Sequence, residues 1–192
     1  MKKLKSIKGI PLSYIQSILK IDPDSPSGLT WIPKEGTSRI SKSWNFRHAN
    51  NHAGCIRKDA RTGYQKWVMT ITCNRKNFNV ICSRVVFLLH NGYLTKYKVI
   101  DHEDNNALNN NPDNLRESTR GQNAHNSKLR KDNTSGIKGL YWNEKTQKWV
   151  AELYVNSKKI FIGYFLESEK ENAKKAIEKT RKKLHGKFGR NQ

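Results

Sequence analysis

The sequence predicts an α+β fold in two parts, each built from short strands and helices. Three observations carry this. Residues 63–127 read as strand, turn, strand and helix, then as strand, long polar loop, short strand and helix start. A charged stretch ending in glycine follows, Lys128-Leu129-Arg130-Lys131-Asp132-Asn133-Thr134-Ser135-Gly136, and marks a boundary. Beyond it, three short strands lead into one helical pattern that would cover one face of a three-stranded antiparallel sheet. The expected divisions are a basic N-terminal segment with a short helix at 1–24, a domain at 25–130 and a second domain at 135–192.

In the first segment Leu12, Ile15, Ile18 and Leu19 recur at helical spacing, with Ser13 near the start. Asp22-Pro23-Asp24-Ser25-Pro26-Ser27-Gly28 is a breaker and turn cluster, followed by a strand at Leu29-Thr30-Trp31-Ile32 that Pro33 ends. Residues 34–53 are polar, with Lys42, Arg47, His48 and His52 beside Trp44 and Phe46. They read as a loop, either a contact surface or a solvated, mobile segment. Gly63 to Thr72 is β-branched and aromatic with rough alternation, Asn74-Arg75-Lys76-Asn77 is a turn, and Phe78 to Cys82 is the return strand. Ser83 is placed to cap a helix whose apolar residues are Val85, Val86, Leu88 and Leu89 and which stops near Asn91-Gly92.

In the second part Ile137 to Trp142, Lys148 to Val155 and Lys159 to Phe165 are the strands, with turns at 143–147 and at Asn156-Ser157-Lys158. Alternation along the middle strand sets Trp149, Ala151 and Leu153 against Val150, Glu152 and Tyr154. Ser168 with Glu171 three residues on reads as a capping box. Ala173, Ala176, Ile177, Thr180 and Leu184 form the helix's inner face, and Gly186 ends it.

Bulk composition narrows the function. The chain has 192 residues, of which 35% are hydrophobic, a low share. Five Trp, seven Tyr and six Phe nonetheless argue against wholesale disorder. Lys and Arg outnumber Asp and Glu 37 to 16, a net charge of +21. Such self-repulsion points to a polyanionic partner. From Lys128 onward the balance is 17 basic to 7 acidic residues, so both parts are built to meet phosphates. Nucleic acid is favoured over an acidic membrane, because no basic amphipathic helix with bulky aromatics stands out. No apolar run reaches the roughly 18 residues of a membrane span. Lys8, Gly9 and Pro11 interrupt any signal-peptide core, so a cytoplasmic location is expected. Cys55, Cys73 and Cys82 form no C-x-x-C pair and read as ordinary thiols.

The chemistry concentrates between Val99 and Ser127, where Asn, Asp and His crowd together. Hydrolysing a phosphodiester needs a base for water, a cation for the developing charge, and a group that orients the base. His102 is the natural base, since neutral imidazole accepts a proton near neutral pH. Asp101 precedes it, and on an extended strand the two side chains point to opposite faces, so a strand end or bulge is needed for both to serve one site. Asn114 lies twelve residues after His102 and Asn123 twenty-one. An amide supplies an oxygen to a hard metal or accepts from an imidazole N–H. Asp101 with Asn123 would give a divalent cation two oxygen ligands, with phosphate oxygens and waters completing the shell. The other loop asparagines, 105, 106 and 109 to 111, read as turn-formers.

The residues Asp101-His102, Asn105-Asn106, Asn114-Leu115-Arg116 and Gln122-Asn123-Ala124-His125-Asn126 resemble the HNH endonucleases of the phage and intron-associated homing type. Ser83-Arg84-Val85-Val86 and Asn91-Gly92-Tyr93 resemble that family's preceding helix and turn, although Cys82-Ser83 stand where the family often has His. The resemblance implies a ββα-metal centre with His102 as general base, Asn114 orienting it, and Asp101 and Asn123 ligating Mg2+ or Mn2+. It implies a grip on the minor groove and cleavage of one strand per active site, with Arg84 and Arg116 at the DNA. Spacing favours Asn123 as the last ligand, with His125 and Asn126 as alternatives.

The second part, through Gly136 to Trp142, Lys148 to Leu153, Phe161 to Phe165 and Ala173 to Ala176, resembles the ethylene-response-factor (Apetala-type) DNA-binding domain. That resemblance implies a sheet laid in the major groove through Lys138, Tyr141, Trp142, Glu152, Tyr154, Lys159, Phe161 and Tyr164, with Trp149, Ala151, Leu153 and Ile162 as core. Each aromatic could equally be simple sheet packing. The function expected is a metal-dependent endonuclease acting as a monomer on double-stranded DNA, with no membrane partner and no small-molecule cofactor. A phage-encoded protein of this kind would work in the cytoplasm of a bacterial host. The alternative is a catalytically inactive, sequence-specific DNA-binding regulator. Nothing matches an RNA-recognition signature.

Overall fold

A computed structural model describes residues 2–130, 132–155 and 158–191. Met1, Lys131 of the expected linker and the turn expected at Asn156-Ser157 lie outside the described residues. The fold is mixed α and β with small antiparallel sheets, and it divides into two compact units, Met1–Glu117 and Ser118–Gln192.

The first unit starts with three two-residue strands, β1 (Lys3–Leu4), β2 (Ser6–Ile7) and β3 (Ile10–Pro11). Helix α1 (Leu12–Ile18) follows directly, and strands β4 (Leu19–Ile21) and β5 (Leu29–Trp31) pair antiparallel around the turn cluster at 22–28. The N-terminal segment is therefore part of a core. Ile7, Ile10, Ile15 and Leu19 are buried in one cluster with Trp67, Met69 and Ile71 of the following sheet.

Helix α2 (Arg39–His48) occupies the stretch read as a loop. The helix has no buried residue, so the apolar periodicity that signals helices is missing. Local chemistry holds it instead. Ser38 caps the start by accepting from the Ser41 N–H at 3.1 Å, and Arg47 and His48 complement the C-terminal dipole. The Asn45 amide clasps Lys34 through both its N–H and its carbonyl, and Trp44 packs edge-on against Trp31 with ring centroids 5.7 Å apart.

Strands β6 (Cys55–Lys58), β7 (Gln65–Cys73) and β8 (Lys76–Ile81) form an antiparallel sheet, and α3 (Cys82–Asn91) packs on it. The expected Ser83 cap is displaced. The helix begins at Cys82, the capping position is Ile81 with no side-chain bond, and Ser83 is buried in the first turn. The stop is as read, with Gly92 left-handed at φ 74°. Val85, Val86, Phe87 and Leu88 are buried, each contributing about 1.5–3 kcal/mol. Strand β9 (Leu94–Thr95) pairs with β1, and β10 (Val99–His102) pairs with β11 (Leu115–Ser118).

In the second unit α4 (Arg120–Asn126) precedes an antiparallel sheet of β12 (Leu140–Asn143), β13 (Lys148–Val155) and β14 (Lys158–Phe165), and α5 (Lys170–His185) completes it. Leu140, Ala151, Leu153, Ala173 and Ile177 are its core, so the helix covers one face of the sheet. Two expectations change here. Ser168 lies in a 3-10 turn and does not cap α5; Glu169 instead accepts from the Leu166 N–H at 2.8 Å. Leu184 is exposed, and the inner face is completed by Arg181, whose guanidinium donates to the Lys138 carbonyl and to Asn191 Oδ1. The units divide at Glu117/Ser118 rather than at 128–136, because Lys138 binds the carbonyls that end α4.

Candidate functional site

The loop between β10 and β11 is organised by hydrogen bonds within its own polar residues. Asp104 is the hub. Its Oδ1 accepts from the Asn106 N–H and the Asn114 amide, its Oδ2 accepts from the Asn109 amide, and its own N–H donates to Asn114 Oδ1. Burial pushes the Asp104 carboxyl up, but these hydrogen bonds and the nearby His102 together hold it below its ordinary value. Asn106, Asn109 and Asn111 each accept from an N–H two residues on. These are Asx turns, the geometry expected of turn-forming asparagines.

Asn114 is committed to this loop. Both its amide hydrogens are used, one on Asp104 and one on the Asn109 carbonyl, and its backbone carbonyl accepts from the Glu103 N–H. The amide oxygen that faces His102 Nε2, at 3.1 Å, belongs to Asn110. Asn110 is buried and its Nδ2 donates to the Ser27 carbonyl at 2.9 Å. Sequence reading grouped Asn110 with the turn-formers, and nothing in its spacing marks it out.

Asp101 and His102 follow the strand's alternation. Asp101 is buried, and His102 is half-buried. Arg116, expected at DNA, is also buried; its Nε donates to Asp101 Oδ2 at 2.8 Å, and its Nη1 lies 3.3 Å from Glu103. The pair joins β10 to β11. Arg84 is half-buried and donates to the Lys98 carbonyl at 3.3 Å. Both arginines thus act within the fold around the Asp101-His102 strand. Tyr64, absent from the sequence reading, lies where its hydroxyl is pushed up by burial and by the negative charge of Asp101.

On α4, Thr119 and Gln122 form a reciprocal capping box, and Asn123 is exposed in the next position. His125 stacks face to face on His185 with centroids 3.7 Å apart, and burial pushes both rings below the ordinary histidine value. Asn126 is buried. Of the three candidates for the last ligand, Asn123 is the exposed one. Among the described residues no group of three or more His, Cys, Asp and Glu side chains is placed to hold a metal ion.

The outer face of the C-terminal sheet is aromatic. Tyr141 and Tyr164 flank Val150 from the two neighbouring strands, and Phe161 lies opposite Glu152. Simple alternation would put residues 161 and 164 on opposite faces. A bulge reconciles them: Ala151 pairs with Gly163 and Glu152 with Phe161, which leaves Ile162 as the extra residue. Tyr141, Tyr154, Phe161 and Tyr164 are all exposed. Lys159 Nζ pairs with Glu152 at 2.9 Å on the same face. Two expected contacts are placed elsewhere. Trp142 lies directly opposite Trp149, so both share the helix side, with rings in a T-shape at 5.1 Å. Lys138 is half-buried and donates to the carbonyls of His125 and Ser127 at 2.9 and 2.8 Å. Burial, with the charges of Arg181 and Arg190, lowers its pKa to about 8.

Residues 81–125 match the HNH endonuclease family, a span that runs from the end of β8 through α3 and the Asp101-His102 strand into α4. The chain is also similar to Protein 3.8 of Escherichia phage T7, with 37% identity over 100 residues that cover 52% of this chain and 80% of the phage protein. The chain belongs to the HNH endonuclease family, and its HNH domain occupies residues 81–125. No solved structure matches it.

Proposed function

We propose that this protein is a divalent-metal-dependent endonuclease that hydrolyses phosphodiesters of double-stranded DNA and is carried to DNA by its C-terminal sheet. The observation that supports it best is the Asp101-His102 strand end inside the span that matches the HNH family. His102 takes the proton from the attacking water. Asp101 and Asn123 would hold Mg2+ or Mn2+, and Asn114 secures the loop that carries the site. The donor chemistry fits such an ion, since carboxylate and amide oxygens suit hard cations. A carboxylate offers about four lone-pair sites, so an arginine on Oδ2 is compatible with an oxygen donated to a cation. The bound ion supplies charge neutralisation at the scissile phosphate and leaving oxygen.

The exposed Tyr141, Tyr154, Phe161 and Tyr164, with Lys159 among them, provide sugar and base contacts beside a phosphate-binding cation. This matches the face implied by the ethylene-response-factor resemblance. A phage relative fits action in the cytoplasm of a bacterial host.

The test is incubation of supercoiled plasmid with the full chain in Mg2+ or Mn2+, with and without EDTA. Nicked or linear product that disappears with EDTA is expected. Tight, salt-sensitive DNA binding with no cutting in either metal would favour the inactive regulator instead.

A further inference from the structure

Asn110 joins two parts of the first unit that are far apart in sequence. It is 3% exposed, with one end of its amide on the His102 ring and the other on the Ser27 backbone. The Ser27 carbonyl can only accept, so it takes the Asn110 NH2 group, and this fixes which way the amide points. Oδ1 is thereby turned to His102 Nε2 at 3.1 Å. An amide oxygen carries no proton. The ring nitrogen that faces it must be the donor, so the neutral imidazole is protonated at Nε2 and its lone pair sits on Nδ1.

The turn that supplies Ser27 is built tightly. Thr30 Oγ1 donates to Asp22 Oδ2 at 2.6 Å, the Ser25 and Ser27 hydroxyls both donate to the Leu29 carbonyl, and the Gly28 N–H donates to the Ser25 carbonyl. Gly28 has φ +75°, and a Cβ there would come 3.0 Å from both the Asn110 Cβ and the Asn110 carbonyl oxygen. The turn therefore presses on Asn110 with backbone, which leaves its amide little room to swing.

We propose that Asn110, held by the 22–28 turn, is a positioning residue that fixes His102 as the Nε2–H tautomer and so presents Nδ1 as the nitrogen that accepts the proton of water. This rests on the reading of His102 as the general base. It gives the N-terminal segment a place in the site, acting through Ser27 and Gly28 rather than by touching substrate.

The experiment uses the full chain labelled with 15N-histidine, free of DNA, and reads the His102 ring by long-range 1H–15N correlation. Wild type is expected to show a protonated Nε2 and a pyridine-like Nδ1. Asn110→Ala is expected to lose that single tautomer and to slow plasmid cleavage by about 10–100-fold in kcat with little change in KM. Asn110→Asp keeps an acceptor at Nε2 and is expected to retain the tautomer, a rescue that a purely space-filling role would not give. Gly28→Ala, which displaces Asn110 without touching its chemistry, is expected to mix the tautomers. A wild-type ring protonated at Nδ1, or an Asn110→Ala ring identical to wild type in a folded protein, would overturn the proposal. Tautomer control as expected in a wild type that cuts no DNA would separately remove the catalytic role built on it.

Discussion

The buried Arg116–Asp101 pair is the most exposed point of the site to a single substitution. Arg116→Met removes the cation and keeps much of the stem. The partners are 9% and 4% exposed at the side chain and 2.8 Å apart, so little solvent would screen the charge left behind. Glu103, at 3.3 Å and half-exposed, adds little to the pair. Removing one partner of a buried ion pair costs about 3–5 kcal/mol, because the remaining charge is stranded. Adding Asp101→Asn removes that charge, so the double variant is expected to be more stable than Arg116→Met alone. Urea titration in EDTA, read by hydrogen-exchange mass spectrometry of peptides from β10 and β11, isolates the first unit from the second. A loss below about 1 kcal/mol, the scale of an exposed pair, or additivity with Asp101→Asn would refute the reasoning.

Three further outcomes follow from the geometry. Tyr141→Ala, Phe161→Ala and Tyr164→Ala are expected to weaken duplex DNA binding by roughly 1–2 kcal/mol each in mobility-shift titrations, with the fold unchanged because all three are exposed. Iodoacetamide on native protein is expected to label Cys55 and spare Cys73 and Cys82; Cys55 is exposed, and burial beside Cys55 pushes the Cys82 thiol up to about 12, as peptide mapping would report. Lys138 is expected to titrate near pH 8 by 15N NMR of its amine. Its folded pKa lies below the unfolded value, so the unfolded chain binds more protons between pH 8 and the ordinary lysine range, and this group's contribution to stability rises with pH across that window.

What was legible in the sequence was whatever local pattern determines. Strand alternation located β7, β8 and β13, and Gly92 and Gly186 ended α3 and α5 as read. Helix α2 was illegible because it buries nothing and rests on a cap and an amide clasp. The Ser83 and Ser168 caps were misplaced because neighbouring residues could begin those helices without them. At the site, the residue types were legible and their partners were not. Asn110 looks like any other loop asparagine until folding brings Ser27 to its other end, 83 positions away. Arg116 reads as a surface cation beside Glu117, yet its place on β11 opposite β10 buries it on Asp101. Trp142 was put on the outer face because register, which decides the face, is not visible in the spacing of β12 alone.

The central claim is that His102 activates water in a metal-dependent cut. It is tested most directly by comparing wild type with His102→Ala on supercoiled plasmid in Mg2+ or Mn2+, at concentrations where mobility shifts show equal DNA binding. Cleavage by wild type with a loss of about 100-fold or more in the variant is the result predicted. Equal cutting by both proteins would contradict it.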